Sequence, residues 1–343
     1  MKNVDDAAAQ NASNGGMVRL YTSPLTSETV PMAEEVAGGA SRRGSHRLAE
    51  SALCPRKWYF HFGRGIKPKK TALHFVEGTL FHLCRAYARA KQLDAKKPGS
   101  APPWFYRETL HQALAREGKG YPDAIKLALA MDDAYETFYR GNDPWEPVAV
   151  EKEYCATLGQ IRRLINPKSP PLPDDDEEIS CRIDLVYRAN GYLWACDYKT
   201  TAHGYQGRLK SWNPDGEYSL NFQFLLQTAV LKVNLGTEFR GVVVERCFKK
   251  EPYDFDRNPV SIEEAAFRDL PNVLAARCAA ERDIAKQALD AQARGEDMAS
   301  WLPSGHWWNC FSWGSSCEFK PLCTAKTAGQ LQETLVREYQ TQQ

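Results

Sequence analysis

The chain has 343 residues, enough for one large domain or two modest ones, and its 44 basic side chains nearly cancel its 43 acidic ones, leaving a formal net charge of +1. That balance excludes a protein that is basic throughout, so any surface that follows nucleic-acid phosphates has to be local. No apolar run approaches the roughly 18 residues of a membrane-spanning helix and the N-terminus lacks an apolar signal core, so the sequence reads as soluble and cytoplasmic.

Residues 1–42 are rich in small and polar residues without a sustained period and read as a disordered tail. From Ser45, SHRLAESALCPRKWYFHF predicts a capped helix running into an aromatic and basic segment, with Pro55 ending or kinking it. HFVEGTLFHLCRAYARAKQL predicts a second helix, with Phe75, Leu80, Leu83, Cys84 and Tyr87 at helical intervals, and residues 105–140 continue helical. Residues of about 85–144 thus read as a helical insertion. WEPVAVEKEYCATL opens a strand signal at 145, and PKSPPLPDDDEE at 167–178 is a Pro-rich acidic loop. ISCRIDLVYR and YLWACDYKTT follow, two strand-like runs joined by Ala189-Asn190-Gly191, a strong hairpin signal. SLNFQFLLQTAVLKVNLG predicts an amphipathic helix stopped by Gly236, and EFRGVVVERCFKK one more strand. Residues 261–295 read as helical, interrupted near Pro271 and closed by Gly295. The chain ends in a cysteine- and aromatic-rich stretch and a polar tail, 326–343. Strand-strand-strand-helix-strand is the order of an α/β core, here about 145–250, inside one domain spanning 43–325 whose C-terminal helices and cysteine region occupy 260–325.

The hairpin carries charge where strands are usually apolar. Asp184 lies in the first run, and Asp197 and Lys199 lie on one face of the second. Pairing about Asn190-Gly191 makes Asp184 and Asp197 cross-strand neighbours. Two carboxylates so placed repel unless a cation sits between them, and a hard ion such as Mg²⁺ or Mn²⁺ fits that need. Lys199 would then stand beside the ion, able to orient or deprotonate water and to neutralise charge on a phosphorane.

In order and spacing these residues resemble the PD-(D/E)xK nuclease superfamily, in its RecB-like and Cas4-like branch. The matching residues are Arg182-Ile183-Asp184 and Asp197-Tyr198-Lys199-Thr200, with Arg182 where glycine is frequent. EGTLFH supplies the branch's helical glycine and histidine as Gly78 and His82, and the resemblance implies His82 as a metal ligand. QFLLQ places Gln223 in the branch's downstream helix, with Gln227 where tyrosine is usual. The resemblance implies a restriction-endonuclease-like mixed sheet flanked by helices, with helical insertions and a cysteine-stapled helical periphery. It further implies a metal held by Asp184, Asp197, His82 and the Tyr198 backbone carbonyl, with Lys199 and Gln223 in catalysis. The strand at 148–154 often carries a glutamate in this family; Glu151 and Glu153 both qualify, and Glu153 is favoured as a supporting residue.

Ten cysteines are many for a cytosolic chain. Six (Cys84, Cys155, Cys181, Cys196, Cys247, Cys278) read as small core residues. Cys310, Cys317 and Cys323 need one more thiolate for a closed site, and Cys54 is the natural fourth. Zinc satisfies the same count. The resemblance favours a [4Fe-4S] cluster, as in Cas4 and phage exonucleases, although the spacing between Cys310 and Cys317 is longer than in many of them. Arg56, Lys57, Trp58 and Tyr59 open a basic and aromatic segment suited to single-stranded DNA, unless its rings pack around the cluster instead; KKEPYDFDR at 249–257 is a lesser candidate. The expected function is a metal-dependent DNA exonuclease of the Cas4-like or phage recombination type, in a bacterial or phage-infected cell. The rival is a non-catalytic DNA-binding or assembly subunit of a recombination or CRISPR adaptation complex. A homo-oligomer is left open, and with no G-x-x-x-x-G-K-[ST] loop the chain is not a helicase.

Overall fold

The computed structural model describes residues 20–22, 29–31, 41, 43–69, 71–201, 218–294, 317–325 and 328–341. Its strands are β1 (Leu20–Thr22), β2 (Thr29–Pro31), β3 (Ile66–Pro68), β4 (Glu146–Thr157), β5 (Glu178–Ala189), β6 (Tyr192–Thr201), β7 (Phe239–Phe248), β8 (Phe255–Pro259) and β9 (Tyr339–Thr341). Its helices are α1 (Ser45–Leu53), α2 (Pro55–Trp58), α3 (Leu73–Lys96), α4 (Pro103–Arg107), α5 (Leu110–Glu117), α6 (Pro122–Phe138), α7 (Leu158–Ile165), α8 (Phe222–Leu235), α9 (Glu264–Ala293), α10 (Lys320–Cys323) and α11 (Ala328–Glu338).

The β5–β6 hairpin forms the middle of a five-stranded sheet ordered β4-β5-β6-β7-β8. Asn190 and Gly191 both take positive φ, 51° and 81°, which is what a tight two-residue turn between twisted strands demands. Only β6 and β7 run parallel, and a parallel neighbour requires a crossover, here the segment that includes α8. The fold class expected from the sequence is the one observed.

Helices cover both faces. On one, α3, α5 and α6 bury Leu80, Phe81, Ala113, Leu114, Ala128 and Met131 against Leu185, Cys196, Tyr198 and Val243. On the other, α8 and α9 bury Phe224, Leu226, Val230, Leu270 and Leu274 against Ile183, Val186, Ala195 and Val244. A third, smaller core joins Trp58, Tyr59, Phe60 and Ile66 to Ile284, Phe319, Leu322 and Tyr339.

Five local features differ from the sequence reading, the first being that β1 pairs with β2 inside the N-terminal stretch read as a disordered tail. β8 adds an edge strand within the mixed-charge stretch beyond 249; its Asp256 is paired with Arg246 and its Arg257 with Glu245, so those charges serve the sheet. α7 was not expected, although Thr157 and Gln160 form a capping box at its start. α9 runs through Pro271 without a break, since Leu270, Leu274 and Cys278 keep its buried stripe continuous. Within the stretch read as a polar tail, α11 leads to β9, which pairs with β3 and buries Tyr339. No helix among the described residues is long and apolar enough to cross a membrane.

Candidate active site

The site lies where β5 and β6 part. Their pairing runs from Ala189↔Tyr192 to Leu185↔Cys196 and stops there, so the next two residues in the same register are Asp184 and Asp197. Beyond that point the Asp184 carboxylate takes over a ladder bond: its Oδ2 accepts from the Tyr198 backbone N–H at 2.8 Å. A side chain thereby satisfies an amide that the strand partner has abandoned. β6 itself continues, held by its parallel pairing with β7 as far as Thr201↔Phe248.

Asp197 is buried and held from three sides. Gln223 Nε2 donates to its Oδ1 at 2.6 Å, and Gln227, one helical turn further along α8, donates to the same oxygen at 3.4 Å. Lys199 Nζ lies 2.7 Å from Asp197 Oδ2 and donates to Gln223 Oε1 at 3.4 Å. Gln223 therefore ties the acid to the lysine. Burial works against the Lys199 charge, but Asp197 and Asp184 beside it hold the ammonium above its ordinary value.

From the opposite face α3 brings His82, whose Nδ1 is 3.5 Å from Asp184 Oδ2 and whose ring stands edge-on to Tyr198. The helix reaches the strand because residue 78 is glycine: a Cβ there would meet Thr200 Oγ1 at 3.1 Å, tighter than ordinary contact. Burial above all, and then the charges of Asp197 and Glu151, push the Asp184 carboxyl up to about 7 against the pull of His82 and the Tyr198 amide.

Of the two glutamates that the sequence offered on this strand, the less favoured one, Glu151, stands at the site. The β4–β5 register pairs Val150 with Leu185 and Lys152 with Ile183, which sets Glu151 opposite Asp184. Glu151 has φ 50°, a left-handed conformation that costs on the order of 1 kcal/mol for a non-glycine residue. Both strands change faces at this point. Val150 and Leu185 pack under α3, whereas Tyr154 and Ile183, at even spacing from them, pack under α8. Glu153 faces Arg182 in the register and adds its charge to the surroundings of Cys181, so the glutamate beside Asp184 is Glu151. A regular strand puts residues 151 and 153 on one face, and nothing in the sequence signals the left-handed residue that separates them. His46, in the first turn of α1, was missed: desolvation and the nearby Lys199 push its imidazole below its ordinary value.

The family model of the PD-(D/E)XK nuclease superfamily matches residues 45–324, most of the chain. The chain belongs to that superfamily. Nucleases of this superfamily generally use divalent metals, and membership implies a nucleic-acid substrate. No curated protein matches the chain. Among solved structures, a "Putative exonuclease" from Eubacterium rectale aligns over 73% of this chain and 83% of its own, at 11% identity and a TM-score of 0.41. The protein SSO0001 aligns over 73% and 86%, at 14% identity and a TM-score of 0.28. Likenesses this distant carry no argument about function.

As a superfamily site, the fork offers two carboxylates, an imidazole and a lysine. Among the described residues no three His, Cys, Asp or Glu side chains form a ready-made metal cage. What is present fits a divalent ion in another sense. Burial first, and then the facing Asp197 and Glu151, disfavour the Asp184 carboxylate; a hard cation would relieve both, and Mg²⁺ needs only one or two carboxylates beside water and phosphate oxygens.

Of the four cysteines singled out, Cys54, Cys317 and Cys323 are described and Cys310 lies outside the described residues. Burial, and the neighbouring Cys54 and Cys317, push the Cys323 thiol up to about 11, opposed by Arg56, so Cys54 and Cys317 each lie within electrostatic reach of Cys323. Lys57 N donates to Cys54 Sγ at 3.4 Å, and Cys317 and Cys323 pack against the third core. The six single cysteines are buried except Cys155, which is partly so.

The base-stacking expectation for this segment is corrected. Trp58 and Tyr59 are each 1% exposed, and Trp58 Nε1 donates to Glu281 Oε1 at 2.9 Å, so their rings are core and unavailable to bases. Arg56 Nη1 donates to the Cys323 carbonyl at 3.5 Å, and Lys57 pairs with Glu50 at 3.0 Å and Glu318 at 3.5 Å.

Proposed function

We propose that the chain is a Mg²⁺- or Mn²⁺-dependent deoxyribonuclease that degrades DNA from its ends, an exonuclease of the Cas4-like or phage recombination type. The observation that carries this reading is the fork itself: Asp184 and Asp197 in adjacent register positions, with Lys199 Nζ 2.7 Å from Asp197. Asp184, Asp197, His82 and the Tyr198 carbonyl would hold the ion. A divalent ion bound there supplies Lewis acidity to a phosphodiester and makes water more acidic.

The chain's own groups do the rest. The Tyr198 amide fixes the Asp184 carboxylate, and Gln223 fixes Asp197 and Lys199 relative to each other. Lys199, carrying a full positive charge, orients the attacking water and offsets the negative charge that grows on the non-bridging phosphate oxygens. Asp197 is buried at the base of the fork, which strengthens the interactions it makes there.

Cys54, Cys317 and Cys323, with Cys310 as a fourth ligand, would hold a [4Fe-4S] cluster that staples α2 to the C-terminal segment. The nearness of Cys54 and Cys317 to Cys323, beside an aromatic core, supports a thiolate-bound group there, and closing so long a loop would stabilise the fold. The test is release of label from 5′- and 3′-labelled single- and double-stranded DNA in Mn²⁺, with anaerobically purified wild type beside Lys199→Ala. Release by wild type alone supports the proposal and gives the polarity. DNA binding without release by either protein would overturn it in favour of a non-catalytic subunit. Iron and sulfide content of the same preparation tests the cluster.

A further inference from the structure

Three carboxylates meet at the fork, but only two are left to coordinate. Glu151 sits opposite Asp184 in the β4–β5 register, and its side chain is tied in an ion pair to Arg182, which stands two positions before Asp184 on β5. Both partners are buried, with side-chain exposures of 6% and 8%. Each acid at the fork thus has its own basic neighbour: Arg182 for Glu151, Lys199 for Asp197 and His82 for Asp184. These neighbours differ in exposure. The Lys199 and His82 side chains are 40% and 30% exposed and have room to swing aside for a metal ion, whereas Arg182 and Glu151 are buried against each other. Glu151 is therefore committed to Arg182, in a residue whose backbone is left-handed.

Resting on the nuclease reading above, we propose that Arg182 sets the metal count of the centre. By withdrawing Glu151 from coordination it leaves room for one divalent cation where three free carboxylates would take two. Counting Asp184, Asp197 and Glu151 against Lys199 and Arg182, the fork carries one net negative charge; without Arg182 it carries two. Two metal ions a few ångströms apart need shared carboxylates to screen them, and here the third is already occupied. Arg182 is thus a positioning residue acting through Glu151.

The test is Mn²⁺ binding to the full chain, by calorimetry and by loss of the free-ion electron paramagnetic resonance signal, without DNA. Wild type is expected to bind one Mn²⁺ at the fork, counted as the binding that Asp184→Asn removes. Arg182→Gly and Arg182→Met are expected to bind two, and adding Glu151→Gln to either should restore one. Each double variant keeps the wild-type net charge, so its Mn²⁺ affinity should stay within about threefold of wild type. Two ions in wild type, one in both single Arg182 variants, or a loss of more than tenfold in both double variants would each overturn the proposal. If the single Arg182 variants fail to fold, the double-variant affinity and the wild-type count still decide it. No Mn²⁺ bound by wild type would instead refute the metal-dependent reading on which the proposal rests.

Discussion

Replacing Asp184 with asparagine is expected to stabilise the metal-free protein, and to do so more at pH 8 than at pH 5. The carboxyl is pushed from about 4 in the unfolded chain up to about 7 in the fold, by burial first and by Asp197 and Glu151 next. The folded protein therefore holds this proton more tightly than the unfolded chain does. Stability supplied by the protonated form is present at low pH and is lost as pH rises from about 4 to about 7. At about 1.4 kcal/mol per pH unit, the carboxyl costs the fold about 4 kcal/mol at pH 8, where it is ionised, and about 1.4 kcal/mol at pH 5, where the fold has to protonate it. Asparagine keeps an oxygen to accept from the Tyr198 amide and carries no charge, so it escapes this cost. In EDTA the variant should melt roughly 5–8 °C above wild type at pH 8, at about 2 °C per kcal/mol for a chain of this size, and the gap should fall to about a third of that at pH 5. Mn²⁺ should raise the melting temperature of wild type and leave the variant unmoved, because an ion that binds only the folded state stabilises by mass action. A variant less stable than wild type at pH 8, or a gap that does not change with pH, would refute the reasoning: the fork would then not be a site of unrelieved negative charge.

Other consequences are as concrete. Lys199→Ala should slow DNA hydrolysis by about 10²–10³-fold while DNA still binds, measured as release of end label and by gel shift, since it removes one charge aimed at the reacting phosphate. Glu281→Ala should cost about 3–5 kcal/mol in urea unfolding, because Arg43, Arg47 and Trp58 all converge on that buried carboxylate; a loss below about 1 kcal/mol would show that Arg43 and Arg47 find solvent instead. Although burial disfavours its charge, Arg89 and Arg257 hold the Asp143 carboxyl below its usual range, so it supports the fold above pH of about 4 and that support fades as pH falls. Asp143→Asn should accordingly lose stability at pH 7 and little at pH 3, read from melting temperatures across that range.

The hairpin and the chemistry it carries were legible because they are local. Asn190-Gly191 fixes a turn, the turn fixes a register, and the register alone brings Asp184 beside Asp197. The spacing of Gly78 and His82 on α3 was legible too, as was the place of Gln223 on α8, because one helical turn sets both. What could not be read depended on partners distant in sequence. Whether Trp58 stacks on DNA or packs against the C-terminal segment is decided by Glu281 and Phe319, more than two hundred residues away. Whether Glu151 or Glu153 attends Asp184 is decided by one left-handed residue in the middle of β4, which no propensity announces. The short strand β8 was hidden for the opposite reason: its charges look like surface until Glu245 and Arg246 are known to lie beneath them.

Those buried charges bear on why the fork keeps its shape. β6 shows Asp197 and Lys199 to α8 on one face, while the other face buries Tyr198, whose hydroxyl accepts from Arg89 Nε at 3.5 Å. Arg89 in turn donates to Asp143 at 2.6 Å and to the Tyr135 hydroxyl at 3.3 Å, and Tyr135 donates to Glu245 on β7 at 2.9 Å. An apolar layer of the same volume would stabilise the fold at least as well, since buried ion pairs rarely repay their desolvation. Hydrogen bonds differ from apolar contacts in tolerating only one arrangement of strand and helix. The network pins β6 against β7 and α3 just where β5 lets go, so the residues at the fork are placed by a neighbour that cannot slide. A core of leucines would hold β6 as firmly and position it less sharply, and a site that has to place water against phosphorus needs the second property more than the first.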